Sequence, residues 1–545
     1  MSTVAQLLRQ GRRDEVWQKY CGFLDLTIQE FMDIQEDLLL DQLGLINNSI
    51  LGKELLGGAQ PKTLEEFREC APLTTYSDYA NYLSEKREDV LPEPPVAWMR
   101  TSGRSGEFGH KWVPYTERML SRLGEQVATG LILGAANGRN DVRISPADTA
   151  LLVTAPPPYL SGFANRAAEK ELEVQFLPDL DKGDQMEFGD RLQTGFTMAL
   201  NDGLDHFYGI ASVLARIGDA FATGGGVMGG SLSWKLLRPN IVWRLVKGYL
   251  TAKMAGRDLM PKDLWNVKGI VTGGSDTVIY KEKVEHYWGR KPIEGYGCTE
   301  GLLSAIQAWN ASSYTFVPDC CFYEFIPYED HIKSKTDKAF PPRTLLMDEL
   351  EPGVYEIVLS NFLGGAFIRY RIGDLLEVIA LEDREIQVGL PQFRFYSRGN
   401  DIIDIGAMVR LTEKTIWTAI ENANVAYTDW GARKRVEESH PVFELLLELK
   451  EAETRSADEL REAIRTALKH VEPDYGAMEE ILQIDPLQIT LLPPGAFDAY
   501  MNKKRAEGAD LAHIKPPHMQ PTNEAVEALQ GHSEPELVPV VNESL

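Results

Sequence analysis

The chain has 545 residues, with 56 Lys plus Arg against 81 Asp plus Glu, a formal net charge of −25 and a pI of about 4.9. Nucleic-acid binding needs a basic face that displaces counterions from phosphates, and no Lys/Arg stripe here is long enough to override a field of this sign, so a small molecule or a soluble partner is expected instead. With 43% hydrophobic and 9% aromatic residues, and a length of roughly three to four ~150-residue domains, the chain is expected to bury large cores and to hold more than one domain.

In chain order, Met1 to Tyr20 mixes Arg9, Arg12, Arg13, Asp14 and Glu15 and does not read as a signal peptide. No stretch approaches the ~18 to 20 apolar residues of a membrane span. From Val16 to Leu40 the positions Phe23, Leu24, Ile28, Phe31, Met32 and Leu38 to Leu40 recur at helical spacing, and Thr63 to Phe67 opens another helix, which reads as scaffold. Thr149 to Ala155 then reads as a strand, Gly209 to Ala222 as a helix, and Gly269 to Thr272 and Val354 to Ser360 as strands, an alternation that predicts an α/β domain with helix-covered sheets. Cys21, Cys70, Cys298, Cys320 and Cys321 form no C-x-x-C pair, so reduced thiols in a cytoplasmic protein are expected, with the adjacent Cys320 and Cys321 as small buried thiols. Further on, Phe443, Leu445, Leu447 and Leu449, and again Leu487, Ile489 and Leu491, alternate as strands. Between them Ser456 and Glu459 form a capping box ahead of Leu460, Ile464, Leu468 and Val471 on one helix face. The expected division is a large N-terminal domain over 1–397, a small C-terminal α+β domain over 398–515 that moves about a hinge within Tyr396 to Asp404, and a Pro-rich flexible tail over 516–545.

Three segments carry chemistry. Thr101-Ser102-Gly103-Arg104-Ser105-Gly106, with Lys111 five residues on, interleaves hydroxyls with glycines, which lets backbone N–H groups converge on phosphate; a polar surface turn is the alternative. It is not a Walker loop, which needs Gly-Lys-Ser/Thr. Gly224, Gly226 and Gly229 satisfy G-x-G-x-x-G but follow a predicted helix where a dinucleotide site needs a strand, so they are set aside as a loop. In Val271-Thr272-Gly273-Gly274-Ser275 and Glu294-Gly295-Tyr296-Gly297-Cys298-Thr299-Glu300, paired glycines leave room for a flat ring and Tyr296 offers a stacking face. Thr299 offers a hydroxyl to phosphate and Glu300 a carboxylate to Mg²⁺, against the alternative of a β-turn with a core Tyr. Ile368 to Asp374 ends in an acid able to accept both ribose hydroxyls, although Gly373-Asp374 alone is an ordinary turn; Arg398 follows.

Together and in this order the segments resemble the adenylate-forming superfamily of acyl-CoA synthetases, luciferases and peptide-synthetase adenylation domains. Phe67-Arg68-Glu69-Cys70-Ala71-Pro72-Leu73, Tyr76-Ser77-Asp78-Tyr79, the Thr-Ser-Gly-x-Ser-Gly loop, Tyr370-Arg371-Ile372-Gly373-Asp374 and His513-Ile514-Lys515-Pro516 are more narrowly similar to the auxin-responsive (Gretchen Hagen 3 type) acyl acid amido synthetase family. Arg104 and His513 stand where that family usually has Thr and Gln, and Asn400 where many superfamily members place a hinge Asp or Lys.

The resemblance implies ATP-dependent activation of a carboxylic acid as an acyl adenylate, then transfer to an amine such as an amino acid. A thiol acceptor such as coenzyme A, giving a thioester, and a catalytically inactive regulatory relative are the alternatives. It further implies that Thr101, Ser102, Gly103, Arg104, Ser105, Gly106 and Lys111 hold phosphates and that Glu300 holds Mg²⁺. Gly273, Gly274, Ser275, Tyr296 and Gly297 would frame adenine, Asp374 and Arg398 would fix the ribose, and Lys515 would bridge carboxylate and α-phosphate. Pro156 to Phe163 and Asp205 to Tyr208 are nominated as the acyl pocket, with His206 either assisting deprotonation of the nucleophile or serving as pocket wall.

Overall fold

The computed structural model describes residues 2–101, 111–186, 188–209, 211–222, 238–273, 277–337, 339–398, 403–405, 409–437, 440–473, 475–476, 479, 485–506 and 518–531. It divides into two units, Met1–Tyr396 and Ser397–Leu545.

The larger unit is built on an eleven-stranded sheet. One half is parallel and runs, in spatial order, Gln175–Leu177, Thr149–Leu152, His206–Gly209, Gly269–Gly273 and Ile293–Cys298. It then turns antiparallel through Leu302–Gln307, Tyr314–Phe316, Gln392–Arg398, Tyr370–Ala380, Gly353–Asn361 and Cys321–Pro327. The parallel half needs helices as crossovers and is therefore covered. Helix Glu117–Ala135, capped by the Thr116 hydroxyl on the Met119 amide, lies directly on it. A Cβ on its Gly134 would meet Val271 Cγ2 at 2.9 Å, so glycine is what lets this helix approach the strand.

The helical face read from Val16 to Leu40 is interrupted. Helix Arg13–Cys21 ends in a 3₁₀ turn at Gly22–Asp25, and helix Ile28–Asn48 restarts where Thr27 and Glu30 form a reciprocal capping box. The strand at 149 stops at Leu152, and the expected helix from 209 begins at Ala211 after strand His206–Gly209. Gly224 to Gly229 thus do follow a helix, although they lie outside the described residues. Cys320 and Cys321 are buried free thiols, and burial pushes the Cys321 thiol up to about 12, so they are inert core residues. Among the described residues no helix is long and apolar enough to cross a membrane.

In the smaller unit Tyr427–Glu437 pairs antiparallel with His440–Leu449, which pairs parallel with Leu487–Leu492. The Ser456/Glu459 capping box starts helix Ala457–Val471 as the sequence predicts, and its Leu460, Ile464 and Leu468 pack with Phe443, Leu445 and Leu447 on one sheet face. Leu446, pointing the other way, packs with Leu492, Phe497, Val526 and Leu529. Val526 and Leu529 belong to helix Asn523–Leu529, capped by Thr522, so the flexible tail expected from 516 is corrected: residues 518–531 are folded onto this sheet. Their apolar side chains outweigh the Pro-rich composition on which that expectation rested.

Candidate functional site

The site forms where the parallel strands end and the chain reverses into the antiparallel half, the position where open α/β sheets leave a crevice. Strands Ala97–Arg100 and Trp112–Tyr115 form a hairpin whose stem is closed by two bonds: the Thr101 amide to the Lys111 carbonyl at 3.0 Å, and the Lys111 amide to Thr101 Oγ1 at 3.4 Å. Ser102, Gly103, Arg104, Ser105 and Gly106 lie outside the described residues. Their stem nevertheless fixes where Lys111 starts.

Lys111 Nζ donates to the Tyr370 hydroxyl at 3.1 Å, and that hydroxyl donates to Glu300 Oε1 at 3.1 Å. Lys111 Nζ is itself 3.7 Å from the same carboxylate oxygen. Glu300 is buried, and its turn is pinned by Asn361 Nδ2 on its carbonyl at 2.7 Å and by the Tyr115 hydroxyl on the Thr299 carbonyl at 2.7 Å. Burial, and then the Glu300 charge, raise the Tyr370 phenol well above its ordinary value, so it stays a donor.

A second group lies along the same edge. The Tyr296 hydroxyl donates to Asp374 Oδ2 at 3.0 Å, and both side chains are buried. Asp374 is not in a simple turn: between the pairs Glu356–Leu375 and Val358–Arg371 the long strand bulges, with Gly373 at φ +85°, and the bulge aims the acid toward Tyr296. Gly297 sits in another bulge, between Tyr296–Ala305 and Cys298–Leu302; a Cβ there would meet the Leu302 carbonyl oxygen at 2.3 Å. Gly273 pairs with Gly295 on adjacent strands, and a Cβ on either would meet nothing within 4 Å. Both line a largely apolar cavity with an empty volume of about 520 Å³ including its open mouth, walled by Gln126, Val127 and Gly130 of helix Glu117–Ala135 and by Tyr208, Leu303 and Val317. Of the nominated acyl-pocket residues, Tyr208 lines it. The wall from the buried helix was missed, and Gly130, whose Cβ would come within 3.3 Å of Ile306 Cδ1, is its sequence trace.

His206 is a correction. It starts its strand, at the opposite edge from Gly273, and is fully buried with Nε2 2.8 Å from Asp148 Oδ2; Lys268 Nζ reaches Asp148 Oδ1 at 2.5 Å. Burial opposes the Asp148 charge, but these two partners overrule it and hold its carboxyl below the usual range. The alternation of a strand fixes which face His206 shares with Tyr208, not its level along the strand, and it is level that separates them. Gly274, Ser275 and Lys515 lie outside the described residues, as does the Arg398 side chain. Sequence reasoning missed Tyr370, Asn361 and Tyr115, although Tyr370 stands inside a motif read for its acid.

The donor set fits the groups the sequence points to. Mg²⁺ binds through one or two carboxylates together with substrate phosphate oxygens and retained waters, and Glu300 is a buried carboxylate of the type it uses. Among the described residues no cluster of three or more His, Cys, Asp or Glu makes a closed metal cage.

A sheet that changes from parallel to antiparallel over such a crevice, followed in the chain by a small β-α-β unit, is the fold of the solved amido synthetase and CoA ligase structures on which the chain superposes. The chain superposes on the solved structure of the acyl acid amido synthetase AtGH3.15 in complex with 2,4-DB with a TM-score of 0.66, at 19% identity, over 93% of this chain and 95% of that one. It superposes on 2-hydroxyisobutyryl-CoA ligase in the postadenylation state with a TM-score of 0.55, at 14% identity, over 90% and 91%. The GH3 family N-terminal, central and C-terminal domains match residues 21–143, 314–398 and 410–524 in that order, and the chain belongs to the GH3 family. Among curated relatives, jasmonoyl–L-amino acid synthetase GH3.5 of Oryza sativa subsp. japonica is 25% identical over 285 residues, 48% of this chain and 46% of that protein. Indole-3-acetic acid-amido synthetase GH3.8 of Oryza sativa subsp. indica is 29% identical over 226 residues, 38% and 34%. The matched segments span about half or less of these relatives' length.

Proposed function

We propose that the protein is an ATP-dependent ligase that activates a small carboxylic acid as its acyl adenylate and transfers the acyl group to an amine, with an amino acid as the acceptor. The observation that carries this is the Lys111–Tyr370–Glu300 arrangement: a cation and a buried carboxylate held together at a crevice, ready to separate toward phosphate and metal. In the first step a carboxylate oxygen of the acid bonds to the α-phosphorus of ATP and pyrophosphate leaves with the electron pair of the broken P–O bond. Such transfers are driven by positioning and charge neutralisation. Lys111 and the loop from Ser102 to Gly106 neutralise the leaving phosphates, Asp374 accepts from the ribose hydroxyls with Arg398 beside it, and Gly273, Gly274, Ser275, Tyr296 and Gly297 frame adenine. Mg²⁺, held by Glu300, supplies charge neutralisation to the phosphates.

In the second step the amine nitrogen bonds to the acyl carbon, AMP leaves and the amine loses a proton. Lys515 serves the first step and is exchanged by movement of the C-terminal domain about Arg398 to Asp401. The apolar cavity at Gly273 and Gly295 receives the acyl group, which favours an uncharged hydrocarbon or aromatic body over a second carboxylate. The test is pyrophosphate release from ATP and Mg²⁺ across a panel of carboxylic acids, each with no acceptor, mixed amino acids or coenzyme A, beside Lys515→Ala. Release stimulated by amino acids and lost in the variant supports amide formation. Stimulation by coenzyme A alone replaces it with thioester formation, and silence across the panel with no ATP binding makes the chain an inactive relative.

A further inference from the structure

A chain of net charge −25 contains one stretch, residues 220–257, with six basic residues (Lys235, Arg238, Arg244, Lys247, Lys253 and Arg257) and no Asp or Glu. Helix Pro239–Met254 occupies most of its described part. Its packed side is fixed. Ile241, Gly248 and Ala252 are buried, a Cβ on Gly248 would come within 2.5 Å of Leu264 Cδ2, and Arg244 turns inward to the carbonyls of Leu200 at 3.0 Å and Leu264 at 2.9 Å. Arg257 is likewise spent on Asp263.

The opposite side should then be polar, as on an ordinary surface helix. It is not. Val242, Trp243, Val246, Tyr249, Leu250 and Met254 are all exposed, Trp243 at 70% and Met254 at 90% of their full surface. These positions, spaced by three and four, make one continuous stripe at 3.6 residues per turn. Lys247 borders it, Lys253 stands within it near its C-terminal end, and Arg238 precedes it. Because the inward contacts set the rotation of the helix, the apolar stripe cannot turn into the core.

We infer that this helix docks the protein on an anionic lipid surface, lying in the plane of the interface with Trp243, Tyr249, Leu250 and Met254 inserted and Lys247 and Lys253 reaching the headgroups. Charge and side-chain chemistry select this occupant. An apolar face carrying Trp and Tyr, with one lysine at its edge and one at its C-terminal end, fits an interfacial helix, because the aliphatic Lys stems can lie along apolar surface while their ammonium groups reach phosphate. The overall negative charge does not forbid approach, because at physiological ionic strength charges more than about 8 Å away are largely screened. That no described helix spans a membrane does not bear on a helix lying on one.

Co-sedimentation of the full chain with phosphatidylcholine vesicles containing phosphatidylglycerol, and with phosphatidylcholine vesicles alone, tests this. Binding to the anionic vesicles only, falling as salt rises, is expected. Lys247→Ala with Lys253→Ala weakens it by about thirty-fold, and Trp243→Ser with Leu250→Ser abolishes it while leaving thermal unfolding unchanged, since both side chains are exposed. Equal binding by the Trp243→Ser/Leu250→Ser variant, or no binding by the unaltered chain, overturns the inference. In the latter case light scattering shows whether the face is instead a self-contact: a dimer that the Trp243→Ser/Leu250→Ser variant dissolves assigns the stripe to a second copy, and a monomer assigns it to cover by the chain's own residues.

Discussion

The Tyr370 hydroxyl donates to Glu300 Oε1 at 3.1 Å. The same hydroxyl accepts from Lys111, so a neutral group holds a half-buried cation and a buried carboxylate close without fusing them into a bidentate pair. Breaking a fully formed buried ion pair is expensive. A pair 3.7 Å apart and bridged by a hydroxyl gives up either member more readily, as the proposed roles of Lys111 toward phosphate and Glu300 toward a metal require.

Tyr370→Phe removes this bridge and nothing else of size. A hydrogen bond to a charged group contributes about 1.5 to 3 kcal/mol, so kcat/KM for ATP is expected to fall about 10- to 100-fold, with a higher Mg²⁺ requirement and little change in thermal unfolding. Pyrophosphate release followed across a Mg²⁺ titration checks it. Lost activity accompanied by a large drop in melting temperature would instead make Tyr370 structural.

Asp374→Asn keeps the shape of the bulge and one acceptor but loses the charge that Tyr296 meets and that the proposed ribose contact needs. KM for ATP is expected to rise about tenfold with a smaller effect on kcat, the signature of lost ground-state binding. Tyr296→Phe, which only frees one oxygen of Asp374, is expected to do less. Initial rates at varied ATP separate the two.

How much of this was legible depends on whether the signal was local. The capping box at Ser456 and Glu459 announces its helix because cap and first turn are sequence neighbours. Glu300 and Asp374 stand in motifs whose neighbours point to phosphate and ribose. Tyr370 was not legible, because its role exists only where Lys111 and Glu300 meet it across 259 and 70 residues of chain. His206 misled because a strand pattern gives the face of a side chain and not its distance from the end where ligands bind. The cavity wall at Gln126 to Gly130 was hidden for a similar reason: helix Glu117–Ala135 is buried along most of its length, and a helix buried all round carries no face to mark.

Replacing Glu324 by Ala is expected to destabilise the larger unit by about 3 to 5 kcal/mol, because it strands a buried guanidinium. Arg369 Nε and Nη2 each donate to Glu324 at 2.8 Å while Nη1 reaches the carbonyls of Arg68 and Ala71. Arg369 also holds φ +42°, an uncommon conformation for a side-chain-bearing residue, immediately before Tyr370. Denaturant unfolding reads the loss. Activity that falls no further than the folded fraction would show that the pair sustains the fold alone.

At Gly295 a methyl group points into open space, so Ala there fits the backbone and shrinks the cavity. The preferred acid is expected to shift to a shorter or narrower one, by about 10-fold or more in relative kcat/KM, since one methylene in an apolar pocket is worth ~1 to 3 kcal/mol. Gly297→Ala is the contrast. Its Cβ meets the Leu302 carbonyl, so the strand itself must move and activity is expected to fall for every acid alike. The same acid panel run on the two variants distinguishes selectivity from general damage.

The smaller unit is expected to lose stability as the solution becomes alkaline, through His518. Its Nδ1 lies 2.7 Å from Glu413 Oε1 and its Nε2 2.8 Å from Asp429 Oδ1, and its ring stacks on Trp430 with centroids 4.7 Å apart. Burial works against the imidazolium, but the bonds to Asp429 and then Glu413 overrule it and hold it up at about 9, above its ordinary 6.5. A group raised on folding stabilises fully below its unfolded value and stops doing so above its folded one. The contribution, at most about 3 kcal/mol, is therefore complete below pH 6.5 and gone above about 9. His518→Gln, which cannot carry the charge, is expected to flatten this dependence, and unfolding of the full chain on either side of the window measures it.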